Sequence, residues 1–323
     1  MKLIIQIPCF NEEMTLEGVI SDLPRELPGI SVIEYLVIDD GSTDNTVAVA
    51  KKLKVHHILQ LGSNRGLAYA FSQGLRYALE KGADIVVNTD GDNQYVGKDI
   101  GKLVAPIVEG KADMVVGCRP IRQHLEFSPV KKMFQLFGSW VMRKISKTDV
   151  RDAPSGFRAF SREACLRMFV YSRFSYTMET LILAGNSNLR VYSVDIRINP
   201  KTRKSRLFRN MFEHIYKSTD TIIRMFILYR PGRFFLWIGT FFNLIAVALG
   251  IRFIYLMYIT SHPVSGRTYI PSLILLAIMA FWGVISYMIG ILGELMKFIR
   301  KQNEEILANQ RRMKPADNQR PES

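Results

Sequence analysis

Short apolar runs alternate with helically spaced segments through residues 1–200 of the chain. Lys2–Ile7 is apolar and is stopped by Pro8, which predicts a buried strand; Met14–Leu23 carries helical spacing. Ile33–Ile38 is the next apolar run and ends abruptly in Asp39-Asp40-Gly41-Ser42. Thr43–Leu53 then reads as a helix with Asp44 near its start, His57–Leu61 as a strand and Leu67–Glu80 as a helix. Ile85–Val87 predicts a further buried strand ending in Asn88-Thr89-Asp90-Gly91-Asp92, and Met114–Val116 one more. Strands alternating with helices predict an α/β domain with a mainly parallel mixed sheet, covered on both faces. Polar clusters just after the strands mark the carboxyl edge, where open α/β sheets bind ligands.

After Pro200 the pattern changes. Leu207, Phe208, Met211, Phe212, Ile215, Ile222, Ile223 and Phe226 recur at a spacing of three or four, with Arg209, Lys217, Asp220 and Arg224 among the positions between. This predicts basic amphipathic helices suited to a bilayer interface, an ordinary core-facing helix being the alternative. Phe234–Tyr258 and Ile270–Leu292 are each long enough to span a hydrocarbon core of about 30 Å. Arg252 lies close enough to the end of the first span to snorkel. His262-Pro263-Val264-Ser265-Gly266 supplies a turn between the spans. The expected organisation is an α/β domain over 1–206, interfacial helices over 207–231, a transmembrane hairpin over 232–300 and a polar tail over 301–323. A helical hairpin buried inside a large soluble protein is the competing reading.

Charge supports the membrane. Lys and Arg number 43 against 29 Asp and Glu, for a formal charge of +14. Nine of the basic residues fall between Lys201 and Arg233, against the two acids Glu213 and Asp220. A basic surplus suits nucleic acid, anionic lipid or a phosphorylated substrate. Its concentration beside the apolar segments argues for a membrane surface, and no aromatic-rich basic groove points to nucleic acid. Arg230 and Arg233 before the first span, with Lys297, Arg300 and Lys301 after the second, fit a multi-pass protein of the cytoplasmic (inner) membrane with both termini cytosolic. The opening MKLIIQIP is too short for a signal-peptide core. Cys9, Cys118 and Cys165 form no CxxC pair, so reduced thiols are expected.

The strongest chemical feature is a pair of acidic clusters at two strand ends, Asp39-Asp40 and Asp90-Gly91-Asp92. Bunched carboxylates repel unless a cation sits among them, and hard oxygen ligands suit Mg2+ or Mn2+ carrying a diphosphate. Gly91 lets backbone and ligand approach closely. Solvated loop acids are the plainer reading of D-x-D alone; its position after a buried strand favours the metal.

Pro8-Cys9-Phe10-Asn11-Glu12, Asp39-Asp40-Gly41-Ser42-Thr43-Asp44, Asp90-Gly91-Asp92-Asn93-Gln94 and Ser155-Gly156-Phe157-Arg158 resemble the successive motifs of family-two inverting glycosyltransferases with the GT-A fold. The two spans and the basic segment resemble, in layout, the polyprenyl-phosphate glycosyltransferases of the dolichol-phosphate mannose synthase group. The resemblance implies that Pro8, Asn11 and Glu12 line a nucleotide pocket and that Asp39 and Asp40 bind the base or ribose of a UDP- or GDP-sugar. It implies that Asp90 and Asp92 hold the metal and sugar diphosphate beside Gln94, with Arg119 near the donor phosphates. Asn64-Arg65-Gly66 matches a stretch near the donor, although Leu67 stands where a lysine is often found. Asp152 matches the aspartate often proposed as catalytic base, and Glu179 is a second carboxylate candidate or a helix-surface acid. Ser155, Arg158, Arg203, Lys204 and Arg206 are expected at the phosphate of a polyprenyl acceptor, where arginine binds in bidentate fashion and lysine acts as a point charge.

A lipid monophosphate has a second pKa near 6, so it is largely ionised at neutral pH and attacks an anomeric carbon without a strong base. Orienting the acceptor or the metal is then an alternative role for Asp152 to that of catalytic base. A processive polysaccharide synthase would carry Gln-x-x-Arg-Trp, and none of Trp140, Trp237 or Trp282 follows an arginine. A membrane transferase with a non-polyprenyl acceptor, or a non-catalytic scaffold of the same fold, are the other readings. A homo-oligomer is compatible with all of them.

Overall fold

The computed structural model describes residues 1–120, 142–143, 146–170, 176–200, 220, 223–224, 226–259 and 270–313. Contacts divide the chain into two units, residues 1–221 with 304–323, and residues 222–303.

The first unit is built on a sheet of seven strands: β1 (Lys2–Cys9), β2 (Val32–Asp39), β3 (His57–Gln60), β4 (Ile85–Asn88), β5 (Met114–Cys118), β6 (Arg158–Ser161) and β7 (Val191–Asp195). Their spatial order is β3-β2-β1-β4-β6-β5-β7. All pairings are parallel except those of β6, which runs antiparallel between β4 and β5. The helices α1 (Leu16–Asp22), α2 (Thr46–Lys52), α3 (Leu67–Glu80) and α4 (Ile100–Val108) come between the parallel strands, and α5 (Arg162–Arg167) and α6 (Tyr176–Asn186) follow β6. Strands β1, β4 and β5 are apolar and almost wholly buried, as expected of strands covered on both faces.

Three expectations change. Pro8 does not stop β1, which runs on to Cys9. Along the strand, Cys9 O accepts from Asp40 on the β2 side, while Gln6 O accepts from Thr89 on the β4 side. By alternation Pro8 also faces β4, but β4 is paired only as far as Gln6↔Asn88, so the missing N–H leaves no ladder bond unmade. Helices α1 and α2 are shorter than their periodic patterns, because the polar residues before each belong to loops that hydrogen-bond to one another. Finally, β6 and β7 add strands that the apolar-run pattern did not mark: β6 opens with a charged residue, Arg158, and β7 alternates.

Helix α3 crosses the sheet closely. A Cβ added at Gly74 would lie 2.5 Å from Gln6 Oε1 and 2.8 Å from Ile38 Cδ1, both on buried strand residues. The helix therefore has an Ala and Gly face where it meets β1 and β2.

The second unit contains α7 (Pro231–Ile254), continuing as a π-helical turn to Ile259, and most of α8 (Ile270–Met313). Both helices are long and apolar enough to cross a membrane, and only 11% and 17% of their most apolar windows are buried. A hairpin in the core of a soluble protein would be mostly covered, so these exposed apolar surfaces associate the chain with a membrane. The two helices meet at small residues. The site of a Gly239 Cβ lies 2.5 Å from the Tyr287 ring, and that of a Gly283 Cβ 2.1 Å from Asn243 Nδ2. Helix α8 does not end at Leu292. It continues as a polar helix whose end belongs to the first unit, where the Arg311 guanidinium lies 4.2 Å from the centre of the Phe169 ring and Arg312 pairs with Glu163. The amphipathic stretch expected over 207–231 falls largely outside the described residues.

Replacing Gly74 with valine forces branched bulk into the α3–sheet contact. The expected outcome is a destabilisation of about 1–3 kcal/mol, seen as a lower thermal unfolding midpoint of the detergent-solubilised protein.

Candidate functional site

The expected site residues before Pro200 gather at the carboxyl edge of β1, β2, β4 and β5. After β1, Asn11 adopts a left-handed conformation (φ 56°), which asparagine tolerates, and turns the chain back over β2. Its Oδ1 accepts from Thr43 N at 2.8 Å, while its own N donates to Ser42 Oγ at 2.9 Å. Glu12 N donates to Thr46 Oγ1 at 2.8 Å. The loops after β1 and β2 are thus cross-braced. Thr15 extends the brace to the loop after β4, donating to Gly91 O at 2.6 Å.

Asp39 and Asp40 are both buried. Asp39 Oδ1 accepts from Ser42 N at 3.0 Å. The two oxygens of Asp40 accept from Arg65 N (2.9 Å) and Gly66 N (2.8 Å), fixing the Asn64-Arg65-Gly66 turn that leads into α3. A Cβ at Gly41 would lie 2.6–2.8 Å from the Ser63–Asn64 backbone, so glycine is required for that approach.

Asp90 and Asp92 follow β4. Asp90 Oδ1 is buried and has no hydrogen-bond partner among the described residues. Its carboxyl is pushed up to about 7 by burial first and then by the charges of Asp92 and Glu12, which Arg119 and Arg158 only partly offset. The surroundings therefore disfavour the charged form of Asp90. Asp92 Oδ1 accepts from Gln94 N at 3.1 Å. Among the described residues no group of three His, Cys, Asp or Glu forms a ready-made metal cage. A pair of hard carboxylates suits an Mg2+ or Mn2+ ion whose remaining ligands are diphosphate oxygens and water.

A polar core lies behind Asp90. Gln6 donates to Asn88 Oδ1 at 2.9 Å, and Asn88 Nδ2 donates to Gly156 O (3.0 Å) and Tyr176 Oη (3.2 Å). Gly156 N in turn donates to Tyr95 Oη at 3.1 Å, and the Tyr95 ring stacks on Phe157. Gly156 is pressed against the aspartate: its Cβ would lie 3.2 Å from each Asp90 oxygen and 2.6 Å from Tyr176 Oη. Tyr95, Tyr176 and Asn88 had no assigned role from sequence. The available signal was Gln6 inside an apolar run and Asn88 at the end of another: polar residues in buried strands need partners.

Arg119 and Asp152 form an ion pair. Arg119 Nε and Nη2 donate to Asp152 Oδ2 (2.7 Å) and Oδ1 (3.0 Å), and Arg119 N donates to Oδ2 at 3.2 Å. Asp152 is fully buried, while the Arg119 side chain is 15% exposed. Burial is the largest single influence on Arg119 and opposes its charge, but Asp152, Tyr95 and Asp90 together raise its pKa.

Ser155 and Arg158 were expected at an acceptor phosphate, and the structure corrects the second. Arg158 is fully buried and donates to Ser155 O (2.7 Å) and to Thr177 O, Thr180 Oγ1 and Ala153 O (each 2.6 Å). Burial lowers its pKa to about 10, so it stays charged and ties the 153–155 turn to α6 from inside. Ser155 is equally buried, and its Oγ has no partner among the described residues. Glu179 is not a surface acid either, being fully buried in α6. Arg203, Lys204 and Arg206 lie outside the described residues. The three cysteines are buried free thiols.

A sheet of this order, with two braced loops and the buried Asp90 beside Asp92 at its carboxyl edge, is the arrangement of a GT-A nucleotide-sugar transferase. Residues 4–169 match the model of glycosyl transferase family 2, and the chain belongs to that family. It is 30% identical over 213 residues to the UDP-N-acetylglucosamine–dolichyl-phosphate N-acetylglucosaminyltransferase of Methanococcus voltae, covering 59% of this chain and 83% of that one. It is 29% identical over 167 residues to the undecaprenyl-phosphate mannosyltransferase of Micrococcus luteus, covering 50% and 66%. Glucosyl-3-phosphoglycerate synthase of Mycobacterium tuberculosis, solved with Mn2+, UDP and phosphoglyceric acid, shares the fold. Its TM-score is 0.52 at 19% identity, over 70% of this chain and 77% of that one.

Gly156→Ala sets a methyl group against both Asp90 oxygens. The expected outcome is loss of most transferase activity with a normal circular dichroism spectrum, checked by release of nucleoside diphosphate.

Proposed function

We propose that the protein transfers a sugar from a UDP- or GDP-sugar to a polyprenyl phosphate, undecaprenyl or dolichyl, at the cytoplasmic face of a membrane, with inversion at the anomeric carbon. The observation that carries this reading is the buried Asp90 Oδ1, without a hydrogen-bond partner among the described residues, beside Asp92 at the carboxyl edge of a GT-A sheet. The acceptor class is supported by the two apolar helices and by the acceptors named for the Methanococcus voltae and Micrococcus luteus relatives.

Asp90 and Asp92 would hold Mg2+ or Mn2+, which when bound supplies positive charge to a diphosphate leaving group. Asn11, Glu12, Asp39 and Asp40 shape the nucleotide side through the braced loops after Pro8, and Gln94 keeps Asp92 in place through its backbone N–H. An ionised acceptor oxygen attacks the anomeric carbon as the bond to the nucleoside diphosphate breaks on the opposite face. No strong base is needed, because the phosphate is already ionised. Asp152 is engaged by Arg119 through both oxygens, which suits holding the guanidinium near the donor phosphates better than removing a proton. The basic residues Arg203, Lys204 and Arg206 would neutralise the acceptor head group. Confinement of the lipid to the interface supplies proximity.

Asp92→Ala abolishes transfer and leaves the thermal midpoint unchanged. Asp152→Ala lowers both, because it strands a largely buried guanidinium at a cost of about 3–5 kcal/mol. Equal thermal midpoints for the two variants would count against this division of roles. Replacing Arg203, Lys204 and Arg206 together with alanine raises the KM for polyprenyl phosphate and spares the KM for the donor. An unchanged acceptor KM would point to a non-polyprenyl acceptor.

A further inference from the structure

Asp92 sits on a turn that is held from behind. Gln94 N supports the carboxylate, and Asn93 adopts a left-handed conformation (φ 57°) that reverses the chain. Gly18 leaves room for the Asn93 side chain, since a Cβ there would lie 3.2 Å from Asn93 Nδ2. The backs of residues 93–95 present three successive carbonyls, and one residue takes all three. Asn199 Nδ2 donates to Asn93 O at 3.1 Å and to Tyr95 O at 3.4 Å, and Asn199 N donates to Gln94 O at 2.9 Å.

Asn199 is itself anchored. Ile198 bridges to Tyr95, and Arg197 is fastened to the buried Asp99: Arg197 N donates to Asp99 Oδ2 at 2.7 Å and Nη2 to Oδ1 at 2.8 Å. Lys102 adds a second cation to the same carboxylate at 3.0 Å. The far edge of the turn is held by Tyr95 Oη, which accepts from Gly156 N. The turn is therefore clamped at both ends, and the residue that grips its backbone lies more than a hundred positions away in sequence.

We propose that Asn199 is a positioning residue for the donor site. By gripping three carbonyls of the 93–95 turn, it holds Asp92 where it can share a divalent ion with Asp90. This rests on the donor reading given above. Asn199 touches neither substrate nor metal and acts through the turn alone.

The test uses the full-length protein in detergent, with Mn2+ and whichever of UDP and GDP stabilises the wild type as probes, and reads the Mn2+ concentration at which that nucleotide raises the thermal midpoint. Asn199→Ala is expected to raise that Mn2+ requirement about tenfold, the effect of losing a pair of side-chain hydrogen bonds. Asn199→Asp is expected to raise it further, because a carboxylate would face the same carbonyl oxygens. Should Asn199→Ala fail to fold, Asn199→Ser serves in its place, with a rise of about threefold. Arg190→Ala breaks the Asp113 ion pair at the opposite ends of β5 and β7, so it reports general weakening and leaves the Mn2+ requirement unchanged. A wild-type Mn2+ requirement in the folded Asn199 variants would overturn the proposal alone. Absence of any Mn2+-dependent effect of UDP or of GDP in the wild type would overturn the donor reading and the proposal with it.

Discussion

At the end of β4 the buried Asp90 carboxyl sits where its surroundings disfavour its charge, and much of the site is arranged around that constraint. Burial and the charge of Asp92 raise the Asp90 carboxyl to about 7, and one of its oxygens meets no donor among the described residues. A stable protein tolerates such a group only when the surrounding structure holds it there. Here the support is backbone: Thr15 on Gly91 O, Gln94 N on Asp92, and Gly156 packed against Asp90 with no side chain between.

That support depends on β6. As the single antiparallel strand, inserted between β4 and β5, it brings the 153–157 turn up to the carboxyl edge from the other direction. Asp152 thereby meets Arg119, and Gly156 meets Asp90. The buried Arg158 holds this turn from beneath by donating to the carbonyls of residues 153, 155 and 177. A guanidinium suits the task because its donors fan out in a plane, and a single side chain can satisfy several interior carbonyls at once. The same arginine looks in sequence like a phosphate ligand. Its depth in the fold, and not its chemistry, separates the two uses.

The second unit obeys a different constraint. Its helices leave Trp237, Phe241, Ile251 and Ile291 more than half exposed, while glycines line the contact between them. Close approach of backbones, with large apolar side chains turned outward, suits a hydrocarbon solvent. Association with a membrane and membership of a transferase family are thus carried by separate parts of the chain.

The sequence by itself determined the parallel strands, the acidic clusters that follow them and the two long apolar helices. Each is a local pattern: an apolar run of strand length, carboxylates directly after it, or uninterrupted hydrophobicity over twenty residues or so. The tertiary structure decided what local pattern does not encode. Pro8 is harmless because the neighbouring strand ends before it; Arg158 and Glu179 are interior, and Asp152 is paired with Arg119. Asn199 reaches back to the Asp92 turn across more than a hundred residues. These outcomes depend on which strand lies beside which, and β6 and β7, short and bearing polar residues, carried no apolar run to show where they would insert. A charged residue reads the same in sequence whether it faces solvent, a ligand or three buried carbonyls; only the neighbours brought by the fold distinguish them.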